Sequence, residues 1–591
     1  MLHLDLQDRL QEAVKTILPD ADLSTVQVRA CPDPKFGDYQ SASLMALAKE
    51  RRMNPRQLAT DVLAKLKADD LCEKIDIAGA GFLNFRLKPE VVAQNLVAAY
   101  RGEHLFFRTA PRPRSIVIDF SSPNVAKPMH VGHIRSTILG ESLSRIFRFL
   151  GHRVVTDNHI GDWGTAFGKL LVGWKESLDR AALERDPIGE MERLYKKINA
   201  ECDADEARLE LARSELVKLQ QGDKKNLAIW REMIRLSQAQ FDEIYGRLKV
   251  SFDYTLGESF YNPQLQTTVD ELMAKGIARE SQGAKAIFSD GTAPQKDDPF
   301  VVQRDGEWRD NPALIQKNDG GFNYATTDLA TLAHRISTWQ PDEIVYVTDG
   351  RQQLHFRQIF AAFRRWRPDC AGSVKLAHVW FGTILGEDGK PFKTRSGDTV
   401  KLTELLDEAE ERAFSVVSEK NPTLEETQRK EIARVVGLGS VKYADLSQNR
   451  QSDYVFSWNK MLALQGNTAP YLLYAFTRLA GILRKAGNDL PDLESVSVAE
   501  IQLLAADELA LGKHLLNFGQ ILELVLEEYR PNFLCAYLYE LAGHLARFYE
   551  SCPVLQASGN EKITRLVLCS VSARVLKEGL NLLGIEKTET M

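Results

Sequence analysis

The stretch from Ser115 to Thr156 constrains this chain more than any other. Ser115 to Phe120 is an apolar, β-branched run, and after the turn-like segment Pro123 to His133 the residues Leu139, Leu143, Ile146, Phe147 and Leu150 recur at helical spacing, with Arg145 and Arg148 roughly opposite. The spacing predicts a helix from near His133 that stops at Gly151, followed by a strand over Arg153 to Thr156. Strand, helix and strand in that order make a right-handed crossover with its ligand crevice at the carboxyl end of the first strand. The first N–H groups of the helix lack intrahelical partners and carry the positive end of its dipole, so the junction reads as a phosphate site faced by His130 and His133.

Two histidines three residues apart also fit a metal pair or an ordinary polar helix start. No third ligand or Cys-x-x-Cys pair lies near them in the sequence, which speaks against structural zinc. His-x-Gly-His alone is short, and its surroundings carry the rest.

Those surroundings are Ser121-Ser122-Pro123-Asn124-Val125-Ala126-Lys127-Pro128-Met129-His130-Val131-Gly132-His133, followed in order by Ile160 to Gly164, Tyr324 to Asp328, Gln352 to Phe356, Phe392 to Gly397 and Gly466 to Tyr471. Together they resemble a class I aminoacyl-tRNA synthetase and, within that class, the arginyl-tRNA synthetases. The resemblance spans nearly the whole chain. It implies an α/β protein: a class I Rossmann-like parallel-sheet catalytic domain, an α+β N-terminal domain and an all-α C-terminal anticodon-binding domain. The implied bounds are residues 1–110 for an N-terminal unit touching the tRNA elbow, 113–400 for the catalytic unit with a helical insertion at about 178–248, 401–465 for a helical connection and 466–591 for the anticodon-binding unit.

By the same resemblance the reaction is two-step acyl transfer: ATP and L-arginine form an adenylate, which the 3'-terminal ribose of tRNA(Arg) captures. ATP is implied to lie along residues Pro123, Asn124, Val125, Ala126, Lys127, Pro128, Met129, His130, Val131, Gly132 and His133, with Lys393 and Thr394 of a second loop, and Mg2+ to accompany it. His130, His133, Lys127, Lys393 and Arg395 are the implied catalytic donors. In the second loop Phe392 takes a methionine position and leaves Thr394 where a lysine usually stands, so Lys127 is implied to substitute; a shifted alignment gives that role to Lys393 or Arg395. Arginine itself calls for carboxylates, because a guanidinium is always charged and is read by paired, charge-assisted hydrogen bonds. Asp119 and Asp328 are the implied pair, with Tyr324 one helical turn before Asp328, and Ser121, Asn124, His133 and Gln352 near the substrate's amino and carboxylate ends.

Composition agrees without singling out that identity. The chain has 591 residues, 44% of them hydrophobic, enough for three or four cores. No apolar run is long enough to span a bilayer, Met1 to Pro19 lacks a signal pattern, and seven scattered cysteines read as reduced thiols, so a cytoplasmic protein without membrane partners is expected. A net charge of -6 excludes a wholly basic surface but not local RNA-binding patches. From Arg351 to Arg367 there are five arginines and no acidic residue, which fits a solvated amphipathic helix and an RNA-facing one equally well, and only the resemblance tips the reading toward tRNA. Absence of coiled-coil heptads and the resemblance both imply a monomer. A non-catalytic tRNA-binding paralogue and a small nucleotidylyltransferase are the rival readings.

Overall fold

The computed structural model describes residues 1–392 and 400–589, and these form two compact units. One comprises residues 1–110, 413–443 and 459–591; the other comprises 111–412 and 444–458.

The second unit is built on a four-stranded parallel sheet in the order Lys375–His378, Glu343–Tyr346, Ser115–Asp119, Arg153–Asp157. Both middle strands are buried on both faces, which is why their sequences read as unbroken apolar runs. The crossover helix runs Val131–Phe149, starting two residues before the position that hydrophobic spacing alone suggests, because His130 caps it. It lies so close to the sheet that a Cβ on Gly140 would sit 2.2 Å from the Phe120 ring.

Helices fill the segment from Ala166 to Leu248. They begin before residue 178, the expected start of the charged insertion, because Ala166–Ser177 is too apolar to be recognised by charge. Asp179, Asp186, Asp205 and Asp223 each accept backbone N–H bonds at the starts of the four helices that follow. Asn323 Oδ1 accepts from Tyr324 N at 3.0 Å and opens the helix Tyr324–Trp339, which sets Tyr324 and Asp328 one turn apart. Glu258–Ala274 and Gln353–Trp366 are the other two helices that carry site residues. In the latter, Phe356, Ile359, Phe363 and Trp366 are buried, while Arg351, Arg357, Arg365 and Arg367 all bond to groups of this unit: Asp349, the Asp297 carbonyl, the Phe288 carbonyl and Glu271. Four of the five arginines of that stretch are thus bonded within this unit, which favours the solvated amphipathic helix over the RNA-facing one.

The first unit pairs a four-stranded antiparallel sheet, order Arg29–Ala30, Tyr39–Ser41, Phe82–Leu87, Cys72–Ala78, with a helical assembly. The helix Pro89–Arg101 packs on Gly559–Leu582, and Tyr100 donates to the Pro491 carbonyl at 2.5 Å. Ala469–Ala486 starts at Thr468, whose hydroxyl accepts Tyr471 N, with Pro470 in the first turn. Among the described residues no helix is long and apolar enough to cross a membrane.

Candidate active site

The chain leaves the Ser115–Asp119 strand through backbone that non-glycine residues avoid: Ser121, Ser122 and Ala126 have φ of 74°, 49° and 62°. Each such residue costs about 1 kcal/mol or more and persists only when its surroundings over-determine it. Here they do. Ser121 N donates to Ser136 Oγ at 2.8 Å, Ser122 N to Asn158 Oδ1 at 3.0 Å and Ala126 N to Ser237 Oγ at 2.9 Å. Tyr245 Oη lies 2.8 Å from Ser121 Oγ and accepts from Asn158 Nδ2 at 3.0 Å. Ser237 and Tyr245 both come from the Lys224–Leu248 helix, so the insertion, which shows no chemistry of its own in the sequence, buttresses the turn.

The expectation of free amides at the Val131 helix start is corrected by the structure. Val131 N donates to the Val400 carbonyl at 3.0 Å, Gly132 N to His130 Nδ1 at 3.1 Å and His133 N to the His130 carbonyl at 2.8 Å. His130 N in turn donates to His133 Nδ1 at 3.1 Å. With both Nδ1 atoms accepting, each ring carries its hydrogen on Nε2. The rings are 3.9 Å apart, and burial holds both below the ordinary histidine range, His133 at about 3 with help from His130, and His130 further lowered by Arg351 and Lys127. The helix start thus offers two neutral imidazole donors rather than bare N–H groups.

Of the residues assigned to ATP from sequence, Pro123, Val125, Ala126, Met129 and Val131 are buried and hold the turn from behind. Asn124, Lys127 and Gly132 are exposed, and Pro128, His130 and His133 partly so. The Lys127 ammonium rests 5.2 Å above the Tyr195 ring. Lys393, Thr394 and Arg395 lie outside the described residues.

A cavity of about 450 Å³ opens beside this junction, and its walls include Asp119, Ser122, Asn124, Tyr324, Asp328 and Gln352. Of the seven residues assigned to arginine, the cavity gathers five. Ser121 is not among them: its hydroxyl is spent on Tyr245 and Thr137, and the neighbouring Ser122 faces in. His133 is likewise absent from the walls, being turned to its cap. Asp119 reaches the cavity already engaged, with Oδ2 2.7 Å from Arg335 Nη2 and Oδ1 accepting from Ser122 Oγ at 3.0 Å. Arg335, fully buried, also bonds Asp157 at 2.8 Å, so Asp119 is half of an internal ion cluster and no free carboxylate.

Among the wall residues given no role from sequence are His355, Thr348 and Glu258. His355 Nε2 stands 2.5 Å from Asp328 Oδ2. Thr348 contacts His378 at 2.8 Å. Glu258 opens its helix inside the cavity, where burial and the charges of Asp328 and Asp162 push its carboxyl up to about 8. No lysine or arginine is among the described wall residues. A half-buried acid crowded by other acids and lacking a cation marks a place where a cationic ligand would be bound most favourably.

Comparison with known proteins then decides the family. Residues 96–458 match the family described as "tRNA synthetases class I (R), catalytic domain", residues 472–591 the "DALR anticodon binding domain" and residues 4–87 the "Arginyl tRNA synthetase N terminal domain". An arginine–tRNA ligase of Picosynechococcus sp. is 45% identical over 570 residues, covering 95% of this chain and 94% of the relative. The chain belongs to the arginyl-tRNA synthetase family. One of Klebsiella pneumoniae subsp. pneumoniae is 44% identical, with 99% of each chain covered. The crystal structure of arginyl-tRNA synthetase from Plasmodium falciparum superposes with a TM-score of 0.82 at 28% identity, covering 100% of this chain and 99% of that one. As a member of this family the chain is an aminoacyl-tRNA ligase with the class I catalytic fold.

Proposed function

We propose that this protein activates L-arginine with ATP and transfers the arginyl group to the 3'-terminal ribose of tRNA(Arg). The observation that carries the reading is the cavity at the end of the first strand: it holds the carboxyl groups of Asp119, Asp328 and Glu258 and no lysine or arginine among the described wall residues, and its walls include Asn124 of the turn that leads into the two neutral imidazoles.

The chemistry follows from the atoms. An oxygen of the arginine carboxylate attacks the α-phosphorus of ATP; the new P–O bond forms as the bond to pyrophosphate breaks. Negative charge grows on the α-phosphate oxygens, and donors already in place there lower the barrier, one such donor being worth about 3 kcal/mol. The Nε2–H groups of His130 and His133 are the donors proposed for this. Being neutral at physiological pH, they do not lose a proton to the phosphate. Lys127, exposed beside them, is proposed to follow the departing pyrophosphate, with Lys393, Thr394 and Arg395 of the following loop as further partners. Mg2+ accompanies the triphosphate; among the described residues no group of His, Cys, Asp and Glu is gathered to hold a metal by itself. In the second step a ribose hydroxyl attacks the adenylate carbonyl, and AMP leaves.

In the arginine site Asp328 and Glu258 are proposed for the guanidinium, with Tyr324 alongside, and Asn124, Ser122 and Gln352 for the amino and carboxylate ends. The proposed tRNA-binding parts are residues 1–110 for the elbow and 466–591 for the anticodon, with 113–400 as catalytic unit and 401–465 as connection. We take the enzyme to be a cytoplasmic monomer, as the resemblance implies. The test is consumption of ATP by the full chain with arginine, with and without tRNA(Arg). Arginine-dependent turnover that requires or is strongly raised by tRNA supports the reading, and a chain that binds tRNA(Arg) but never consumes ATP overturns it.

A further inference from the structure

Asp328 and Glu258 both face the cavity, yet only Asp328 has a partner among the described residues that can carry positive charge. That partner is His355, near the start of the Gln353–Trp366 helix, with Nε2 2.5 Å from Asp328 Oδ2. A contact so short needs a hydrogen between the two atoms, and an imidazole N–H donating to the carboxylate supplies it. The ring stands edge-on to Phe356 at 5.5 Å and 79°, and Phe356 is in turn covered by His378 at 4.5 Å, so the imidazole is held from behind. Asp119, His159, Glu258, Tyr324 and Tyr346 line the same cavity, and His378 stands behind Phe356. Asp328 belongs to Tyr324–Trp339, Glu258 to Glu258–Ala274, and His378 to Lys375–His378, where burial keeps it neutral at about 4. Burial alone would lower His355, but the hydrogen bond and charge of Asp328 outweigh it and raise the ring above the ordinary histidine range. The pair is accordingly a carboxylate whose charge is largely cancelled by its own histidine.

We propose that His355 is a positioning residue for the amino-acid substrate: it fixes one oxygen of Asp328, leaves the other for the guanidinium, and loses its second ring proton when that cation arrives. Nε2–H stays on Asp328 Oδ2 while the Nδ1 proton passes to solvent, so one carboxylate never has to face two full cations. The consequence is selective. A cationic substrate bound through Asp328 binds more tightly as pH rises, whereas ATP, assigned by the proposed function to the Pro123–His133 turn, is indifferent to the pair. This rests on the arginine-activating reading and adds to it a residue and a proton.

The experiment is arginine-dependent ATP–pyrophosphate exchange by the full chain with tRNA, measured between about pH 6 and pH 8, the interval in which histidines titrate. His355→Gln keeps a neutral donor within reach of Oδ2; His355→Ala removes it. For the parent, KM for arginine should fall as pH rises. His355→Gln should lose the part of that slope below neutrality while keeping the parent's KM at the alkaline end and the parent's melting temperature. His355→Ala should raise KM for arginine roughly tenfold, the size of one charge-assisted hydrogen bond, with a smaller effect on kcat and none on KM for ATP. A parent-like pH profile for the glutamine variant, or equal losses for arginine and ATP in the alanine variant, would overturn the role. A parent that shows no arginine-dependent exchange at all sinks the underlying function instead, and is seen before any variant is made.

Discussion

Ser121 and Ser122 share a backbone strain and divide its uses. Ser121 turns inward to Tyr245 and Thr137, and Ser122 turns to the cavity and Asp119. Ser122→Ala should raise KM for arginine several-fold and leave the melting temperature near the parent's, while Ser121→Ala should lower stability by about 1 kcal/mol, the worth of a buried hydrogen bond, with KM little changed. Steady-state kinetics beside thermal melting separates the two. Glu258 offers a second residue-level test. Its carboxyl is raised in the folded chain, so the protein binds more protons at this group than the unfolded chain does, and the group costs stability as pH climbs from the ordinary carboxylate range to about 8. Glu258→Gln should therefore melt higher than the parent at alkaline pH and equal it at acid pH. The same variant should bind arginine at least about tenfold less well as pH climbs beyond 8 and the parent's carboxylate becomes mostly ionised.

At the scale of elements, the Val131–Phe149 helix shows what sequence can and cannot tell. Its period, its glycine stop and its place between two strands are all in the string of residues, and so is the pairing of Tyr324 with Asp328 one turn apart. Its near-complete burial is not. Arg135 is 1% exposed because Asp445 meets it at 3.0 Å from far along the chain, and Val400 fills the first amide in the same way. Local periodicity carries no information about such distant partners. The two serines were indistinguishable for another reason: which of them faces inward depends on left-handed backbone at both, and no propensity predicts that for serine. The close approach of this helix to the sheet is testable. Gly140→Ala would push a methyl into Phe120 and should destabilise by about 1–3 kcal/mol, as overpacking does, read as a lowered midpoint in urea unfolding.

At the scale of the molecule, the first unit draws its two ends together. Arg574 donates to the Ala99 carbonyl, Arg29 meets Glu527 at 3.0 Å, and Gly519 is so close to the Phe106 backbone that no Cβ would fit. Val92 and Leu96 of Pro89–Arg101 are buried and lie beside Gly512. Removing residues 1–110 should thus do more than delete a tRNA contact. It should expose the helices of residues 459–591, lower their melting temperature and make them the first sites of cleavage in limited proteolysis. Proteolysis confined to other segments would show that the two ends are stable independently.

The order of the parallel sheet has a consequence for how this chain comes off the ribosome. When Ser115–Asp119 and Arg153–Asp157 have emerged, one flank of the pair is still bare, because Glu343–Tyr346, which must lie against Ser115–Asp119, has yet to be made. A growing chain therefore carries an open, apolar strand edge through the synthesis of the whole insertion, and the N-terminal sheet waits longer still for its helical partners. Such edges are where nascent chains misassociate. The helices from Ala166 to Leu248, built mostly of local contacts and needing no distant strand, can form in that interval. They would also deliver Ser237 and Tyr245 to the strained turn before the sheet is closed.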